Sequence, residues 1–288
     1  MDERAIWQDT PTPAGDEAWE LARRLVQIDS SDPGAYEAEV ECLIKAWLRE
    51  RIASLPPELA AKVRIDELEA LPGRTELMLT IPARTAPGEV GTAAATAPLP
   101  RLVYICHMDT VTLGDGWDPD IAPLSGLIRD DRLYGRGSCD MKSGLASAMV
   151  ACAHTLGRIA ETGELPRRAF SLICTVDEED FMRGVEAAIK AGWVGATDWV
   201  LDTEPTDAQI QVAHKGRTWF ELTMQGVTAH ASQPWKGADA IAAMAEAICR
   251  IRAAIEAQPE HAELGRSTVT FGQIEGGYRP YVVPDRSK

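Results

Sequence analysis

The sequence has no Cys-x-x-Cys pair, although it carries six cysteines, and this argues against a zinc ribbon or a dithiol redox motif. Cys42, Cys106, Cys139, Cys152, Cys174 and Cys249 are scattered, most of them inside apolar stretches. They read as reduced, mostly buried thiols of a cytoplasmic protein. No uninterrupted apolar run approaches the roughly 18 residues that a membrane-spanning helix needs. The acidic N-terminus MDERAIWQDT lacks the apolar segment of a secretory signal. Basic residues are scarce: 29 Lys and Arg stand against 44 Asp and Glu, for a net charge of -15. Neither nucleic acid nor an anionic membrane is an expected partner for such a chain. Cationic ligands, metals included, are compatible with it.

The 288 residues, 45% hydrophobic and 25% charged, suffice for a buried core in one or two domains. Helical and strand-like patterns alternate, which points to an α/β fold. Helices are expected over 16–28 and 36–54, the second with Tyr36, Val40, Leu43, Trp47 and Leu48 on one face. KVRIDEL and ELMLTIPA read as strands, and ARTAPGEVGTAAATAPLP as a mobile surface loop. A strand over 101–106 leads to a hairpin around Asp130 and Asp131. A helix follows from near Ser143, with Leu145, Met149, Cys152 and Leu156 as its buried stripe. RAFSLICTV is a strand, 183–191 a short helix and TDWVLDTE another strand. Near residue 215 a smaller unit begins. In it GRTWFELTMQG and STVTFGQIEGG read as strands on either side of a helix with Ile241, Met244, Ile248, Ile251 and Ile255 at helical spacing, and a further strand starts near VVPDRSK.

Three apolar strands end in ligand-type residues. LVYIC runs into His107 and Asp109, FSLICTV into Asp177, Glu178 and Glu179, and DWVL into Asp202 and Glu204. Each run reads as buried on both faces, as a parallel sheet requires. The carboxyl ends of such strands are where open α/β sheets bind ligands. A single acid at a strand end is an ordinary turn residue, but three such ends, one with a histidine, bring together carboxylates that repel unless a cation neutralises them. A fourth element, LYGRGSCDMKSG, fails as a phosphate loop. A Walker loop needs Gly where Met141 stands, and the dinucleotide fingerprint needs Gly at Asp140. What remains is a tight turn presenting Asp140 at a helix start.

Taken together, HMDTV, YGRGSCDMKSG, DEE and EPT resemble the dinuclear zinc peptidase and deacylase family, which includes acetylornithine deacetylase, succinyl-diaminopimelate desuccinylase, aminoacylases and glutamate carboxypeptidase. The resemblance implies a mixed, largely parallel sheet flanked by helices over 1–215 as the catalytic domain, and a partial ferredoxin-like lid or dimerisation domain over 216–288. It implies two Zn2+ ions, although one His among carboxylates also suits Co2+ or Mn2+. His107 and Glu204 would ligate one metal, Glu179 the other, with Asp140 bridging. Asp202, two residues before Glu204, is the alternative acid. Asp109 would fix the His107 ring. Glu178 would be the general base beside a hydroxide shared by the metals, although the sequence does not say which of Glu178 and Glu179 ligates. GVTAHASQP resembles the family's lid motif, so His230 would stabilise an oxyanion in the neighbouring subunit of a homodimer. His154, His214 and His261 read as ordinary.

Two departures stand out. Tyr281 replaces the Asn that in the family precedes the Val-Pro of the lid, and no His occupies the place of the final metal ligand. The implied activity is cleavage of an amide bond in an N-acyl amino acid or short peptide. The expectation for this chain is a C-terminally truncated fragment with weak or absent hydrolysis. The alternative is a non-catalytic relative that keeps the fold for binding or dimerisation.

Overall fold

The computed structural model describes residues 13–84 and 100–288. Most of the Ala/Thr/Pro/Gly stretch and the N-terminal decapeptide lie outside the described residues. The chain divides into two compact units, Met1–Ala208 and Gln209–Lys288. No described helix is long and apolar enough to cross a membrane.

The first unit is α/β. In chain order it comprises α1 (Pro13–Val26), β1 (Ser31–Asp32), α2 (Ala38–Ala53), α3 (Pro57–Ala60), β2 (Arg64–Leu71), β3 (Arg74–Ile81), β4 (Leu102–His107) and β5 (Thr110–Val111). It continues with β6 (Leu127–Arg129), β7 (Arg132–Tyr134), α4 (Lys142–Thr162), β8 (Phe170–Thr175), α5 (Arg183–Lys190) and β9 (Trp199–Asp202). The central sheet is mixed, in the order β2-β3-β8-β4-β9. β8, β4 and β9 are parallel, while β3 joins β8 and β2 joins β3 antiparallel.

Side-chain alternation assigns the two faces of this sheet. Leu77, Leu79, Ile81, Cys106, Leu172 and Cys174 pack with the buried stripes of α1, α2 and α4. Met78, Val103 and Ile173 point the other way, onto Ala188 of α5 and Trp193. Helices therefore flank the sheet on both sides. The expected stripe of α4, Leu145, Met149, Cys152 and Leu156, is buried throughout. That helix stops where Gly163 takes a left-handed conformation at φ 69°. Asp130 and Asp131 both adopt positive φ, which makes the β6–β7 connection a tight hairpin turn whose twist suits the strands.

Several expectations are corrected. β9 is not buried on both faces: Trp199, Val200 and Leu201 are 45–59% exposed, because among the described residues β9 is the sheet's edge strand, paired only to β4. Tyr36 precedes α2 instead of lining it, and its ring lies 4.5 Å beneath the Arg74 guanidinium. All six cysteines are free, but Cys42, Cys139 and Cys249 are exposed. Cys42 and Cys249 lie on the outward sides of helices, so an apolar neighbourhood in sequence did not mean the inward face.

The second unit contains β10 (Met224–Gln225), β11 (Ala229–His230), α6 (Ala240–Glu256), β12 (Val282–Val283) and β13 (Arg286–Ser287). β10 pairs with β13 and β11 with β12, both antiparallel. Asp239 caps α6 by accepting the Ala242 N–H at 2.9 Å. Of the two longer strands expected here, only Met224–Gln225 of the first is a strand, and the second keeps one bridge, Gly276 to Ser287. Alternation marks a face, whereas a strand needs a ladder along its length, and the ladders of this unit are two residue pairs long.

Glu76 on β3 is fully buried, and neither of its oxygens has a hydrogen-bond partner among the described residues. Burial raises its pKa from 4.5 to about 8. Below 4.5 the carboxyl is neutral whether folded or unfolded. Between 4.5 and about 8 only the folded chain holds the proton, so stability falls as pH rises and levels off above that window. Glu76→Gln should remove this slope: in urea titrations its stability relative to wild type climbs across the window. A relative stability that is flat with pH would refute the assignment.

Candidate metal centre

Strand register brings the site together. In the parallel β4–β9 ladder Ile105 faces Asp202, so two residues further on His107 stands level with Glu204. In the β4–β8 ladder His107 faces Thr175, just before the Asp177–Glu179 turn. The chain leaves β4 toward α4 on one face of the sheet and leaves β8 toward α5 on the other. The exits of these adjacent strands thus diverge and open a crevice at their carboxyl ends.

Two glycines permit the close approaches that the crevice needs. Gly137 has φ 78°, and a Cβ there would lie 2.6 Å from Thr110 Cγ2. A Cβ at Gly144 would lie 2.2 Å from the Thr203 carbonyl oxygen. The first turn of α4 therefore packs directly on the backbone next to Glu204, with Asp140 just before it. The Asp140–Met141 peptide bond is cis.

The His107 ring is almost fully buried. Its Nε2 lies 3.1 Å from Asp140 Oδ1, 3.4 Å from Glu204 Oε1 and 4.0 Å from Glu178 Oε2. Two triads built on His107 present ligand atoms within 4.8 Å of one another: His107, Glu178 and Glu204, and His107, Asp140 and Glu179. All four side chains expected to hold metal, together with Glu178, thus converge. Asp202 belongs to neither triad. Asp109 is fully buried, but what faces His107 Nδ1 at 2.9 Å is its main-chain carbonyl; the carboxylate is 3.6 Å away. That carboxylate instead accepts the Glu178 N–H at 3.2 Å and the Glu179 N–H at 3.0 Å.

The protonation pattern follows from this crowding. Two carboxylates about 4 Å apart repel by about 4 kcal/mol at an effective dielectric near 20, so the cluster needs protons or a cation. Burial first, then the charge of Asp140, pushes Glu179 up to about 7. Burial raises Glu204 to about 8, against the pull of His107 and with the push of Asp140. Asp140 is lowered, chiefly by its hydrogen bond with His107. Burial disfavours the charged His107 ring, but Asp109 and Asp140 outweigh it and raise its pKa well above the usual imidazole value. A single imidazole among carboxylates is a donor set that fits divalent cations, and it is the set that could hold them here.

His230, on β11 of the second unit, is exposed; its Nδ1 accepts the Ser232 N–H at 3.2 Å and lies 2.8 Å from Ser232 Oγ. His214 and His261 are likewise exposed, each with a local backbone hydrogen bond. His154 is exposed on α4. The sequence reading missed a set of residues below the site. Arg74 binds Asp32, Glu37 and Asp177, and Asp177 also binds Arg183. The sequence signal was faint: an Asp-Pro-Gly turn followed by Glu37, with the matching Arg74 some forty residues later.

The fold and site together define an α/β unit with a cluster of metal-ligand-type side chains at its strand ends, and comparison with known proteins is more specific. Residues 212–288 match the family described as the peptidase dimerisation domain. The chain is 33% identical over 147 residues to a Staphylococcus aureus protein described as a probable succinyl-diaminopimelate desuccinylase, covering 51% of this chain and 35% of that protein. It is 32% identical over 196 residues to a probable carboxypeptidase of Aspergillus terreus, covering 64% and 42%. The chain thus spans less than half the length of these curated relatives. Among solved structures, a tripeptidase from Staphylococcus aureus superposes with a TM-score of 0.57 at 24% identity, over 94% of this chain and 64% of that one. An M20 family metallo-carboxypeptidase from Sulfolobus solfataricus gives 0.54 at 17%, over 94% and 69%. These two likenesses establish the fold. Residues 212–288 thus match the dimerisation domain of the M20 peptidases, and the chain is similar to proteins described as a probable desuccinylase and a probable carboxypeptidase, in keeping with the resemblance of its motifs.

At pH 7 Glu204, Glu179 in part and His107 hold protons that a divalent cation must displace. Titrating metal-free protein with Co2+ should therefore release protons, read from the buffer dependence of the calorimetric heat. Glu204→Gln should lower the number released at saturation. Binding without proton release at pH 7 would contradict the protonation pattern.

Proposed function

We propose that this protein is a metal-dependent hydrolase of the amide bond in an N-acyl amino acid or a short peptide. The observation that carries the reading is the convergence of His107, Asp140, Glu178, Glu179 and Glu204 at the diverging exits of β4 and β8 and the end of β9. The names of the relatives, a desuccinylase and a carboxypeptidase, support an amide substrate next to a carboxylate-bearing amino acid.

His107 and Glu204 would hold one divalent cation, Glu179 the second, and Asp140 both; Zn2+ is the first choice, with Co2+ or Mn2+ as substitutes. When bound, such cations polarise a carbonyl and bring the pKa of water toward neutrality. The chain's own residues do the rest. Glu178 accepts a proton from the attacking water as the new C–O bond forms, and returns it to the departing amine as the C–N bond breaks. The Asp109 carbonyl orients the His107 ring.

The second unit is assigned as the surface of a homodimer, in keeping with the dimerisation family that it matches. His230 is assigned as a donor to the oxyanion in the partner's site. Because its Nδ1 accepts the Ser232 N–H, the ring proton sits on Nε2, the donor that this role requires.

Two adjacent variants test the division of labour. The metal-free wild type should take up close to two Co2+ or Zn2+ per chain. Glu179→Gln should lose part of that uptake. Glu178→Gln should keep it and lower amide hydrolysis by about 10²–10⁴-fold. Absence of divalent-cation binding by the wild type would overturn the proposal, and loss of metal in Glu178→Gln would exchange the two roles.

A further inference from the structure

Beneath the convergent side chains lies a second buried layer that takes no part in the chemistry above. The Arg74 side chain, at the start of β3, is 10% exposed, and its guanidinium reaches three carboxylates on other segments. Nη2 donates to Asp32 Oδ2 at 2.7 Å, Nε to Glu37 Oε2 at 2.9 Å and Nη1 to Asp177 Oδ1 at 3.1 Å; Nη2 also contacts Glu37 Oε1. The three acid side chains are 4%, 1% and 0% exposed. Tyr36 closes the lower face of the guanidinium.

This contact leads straight to the metal centre. Asp177 opens the turn that carries Glu178 and Glu179, and it has φ 64°, where a non-glycine residue needs support from its surroundings. Glu37 supplies support by accepting the Asp177 N–H at 3.2 Å, and Arg183 Nε grips Asp177 Oδ2 at 2.7 Å. The next two N–H groups donate to Asp109, whose carbonyl faces His107. Asp32, Glu37 and Asp109 bring carboxylate oxygens within 4.8 Å of one another. Without the Arg74 charge inserted beside them, this acidic layer would push apart the segments that it joins. A planar fork with five donors can satisfy three carboxylates at once, whereas an ammonium presents a single point charge.

We propose that Arg74 is a positioning residue of the metal centre: through Glu37 and Asp177 it locks the 177–179 turn onto Asp109, so that Glu178 and Glu179 face His107. The inference rests on the metal-dependent reading of the site and adds to it the residue that pre-sets two of its acids. A merely structural Arg74 would lower global stability and leave the metal affinity of the folded chain unchanged.

The test is Co2+ binding to the folded chain, read as Kd and as the visible spectrum of the bound ion, for wild type, Arg74→Met and Arg74→Lys. Arg101→Met is the control. Arg101 makes a comparable ion pair, 2.6 Å to Asp198, but at the opposite end of β4. Arg74→Met should bind Co2+ about 10–100-fold more weakly, the usual effect of losing a partner that orients metal ligands, and with an altered spectrum. Arg74→Lys should fall in between. Arg101→Met should lower the unfolding midpoint and leave the Co2+ affinity and spectrum as in wild type. If Arg74→Met fails to fold, Glu37→Gln reads the same link, with a smaller loss in the same direction. Affinities of the Arg74 variants close to that of wild type, or an equal loss in Arg101→Met, would overturn the proposal while leaving the metal site standing. A wild type that binds no Co2+ would remove both.

Discussion

Mutual repulsion among carboxylates at the end of β4 is the constraint around which this structure is arranged. Asp140, Glu178, Glu179 and Glu204 crowd round one imidazole, and each close pair costs about 4 kcal/mol if both members are charged. Only a stiff scaffold can hold such a group in place. β4 lies between two parallel neighbours, so its end is fixed by ladders on both sides. The backbone of Thr203 is pressed against Gly144 with no room for a side chain, which ties the strand carrying Glu204 to the helix that follows Asp140. Burial first, and the charge of Asp140 after it, raise the pKa values of Glu179 and Glu204.

The same sign of charge continues one layer deeper. Asp32, Glu37, Asp109 and Asp177 are buried below the site, and Arg74 lies among Asp32, Glu37 and Asp177. A buried carboxylate next to a metal ligand keeps that ligand basic and oriented; several such carboxylates together demand a cation of their own. The guanidinium is the choice with the least desolvation cost and the most directed bonds. Glu37 keeps a raised pKa even so, because burial outweighs its bonds to Arg74. Glu76, two residues along β3 from Arg74, has no such partner among the described residues and rises to about 8. The contrast between these neighbouring acids separates what burial does from what pairing does.

The order of elements and the first layer of the site were legible in the sequence; the second layer was not. His107, Asp140, Glu179 and Glu204 announced themselves because each follows an apolar run or a glycine turn, and position at a strand end carries chemical meaning in an α/β sheet. Arg74 and Glu37 carry no local pattern: their relation exists only across 37 residues of chain. The exposure of β9 was missed for a related reason. An apolar run tells what a strand prefers to contact, whereas its place at the sheet's edge depends on the whole topology. In the second unit the alternating stretches were overread as strands, since periodicity marks a face without supplying a neighbour to pair with.

The two pairs of site residues differ in spacing for a reason that the backbone explains. His107 and Asp109 are two apart, the spacing of one strand face, and they leave β4 while the extended backbone is still in force. Glu178 and Glu179 are adjacent and would point to opposite faces of a strand. β8, however, ends at Thr175, and Asp177 then turns through positive φ. After that turn both N–H groups can face inward, and the two oxygens of Asp109 take one each. A single buried carboxylate thereby fixes two consecutive peptide planes and brings neighbouring acids to the same imidazole. The two acids thus reach one imidazole from adjacent positions, which a continuous strand could not arrange.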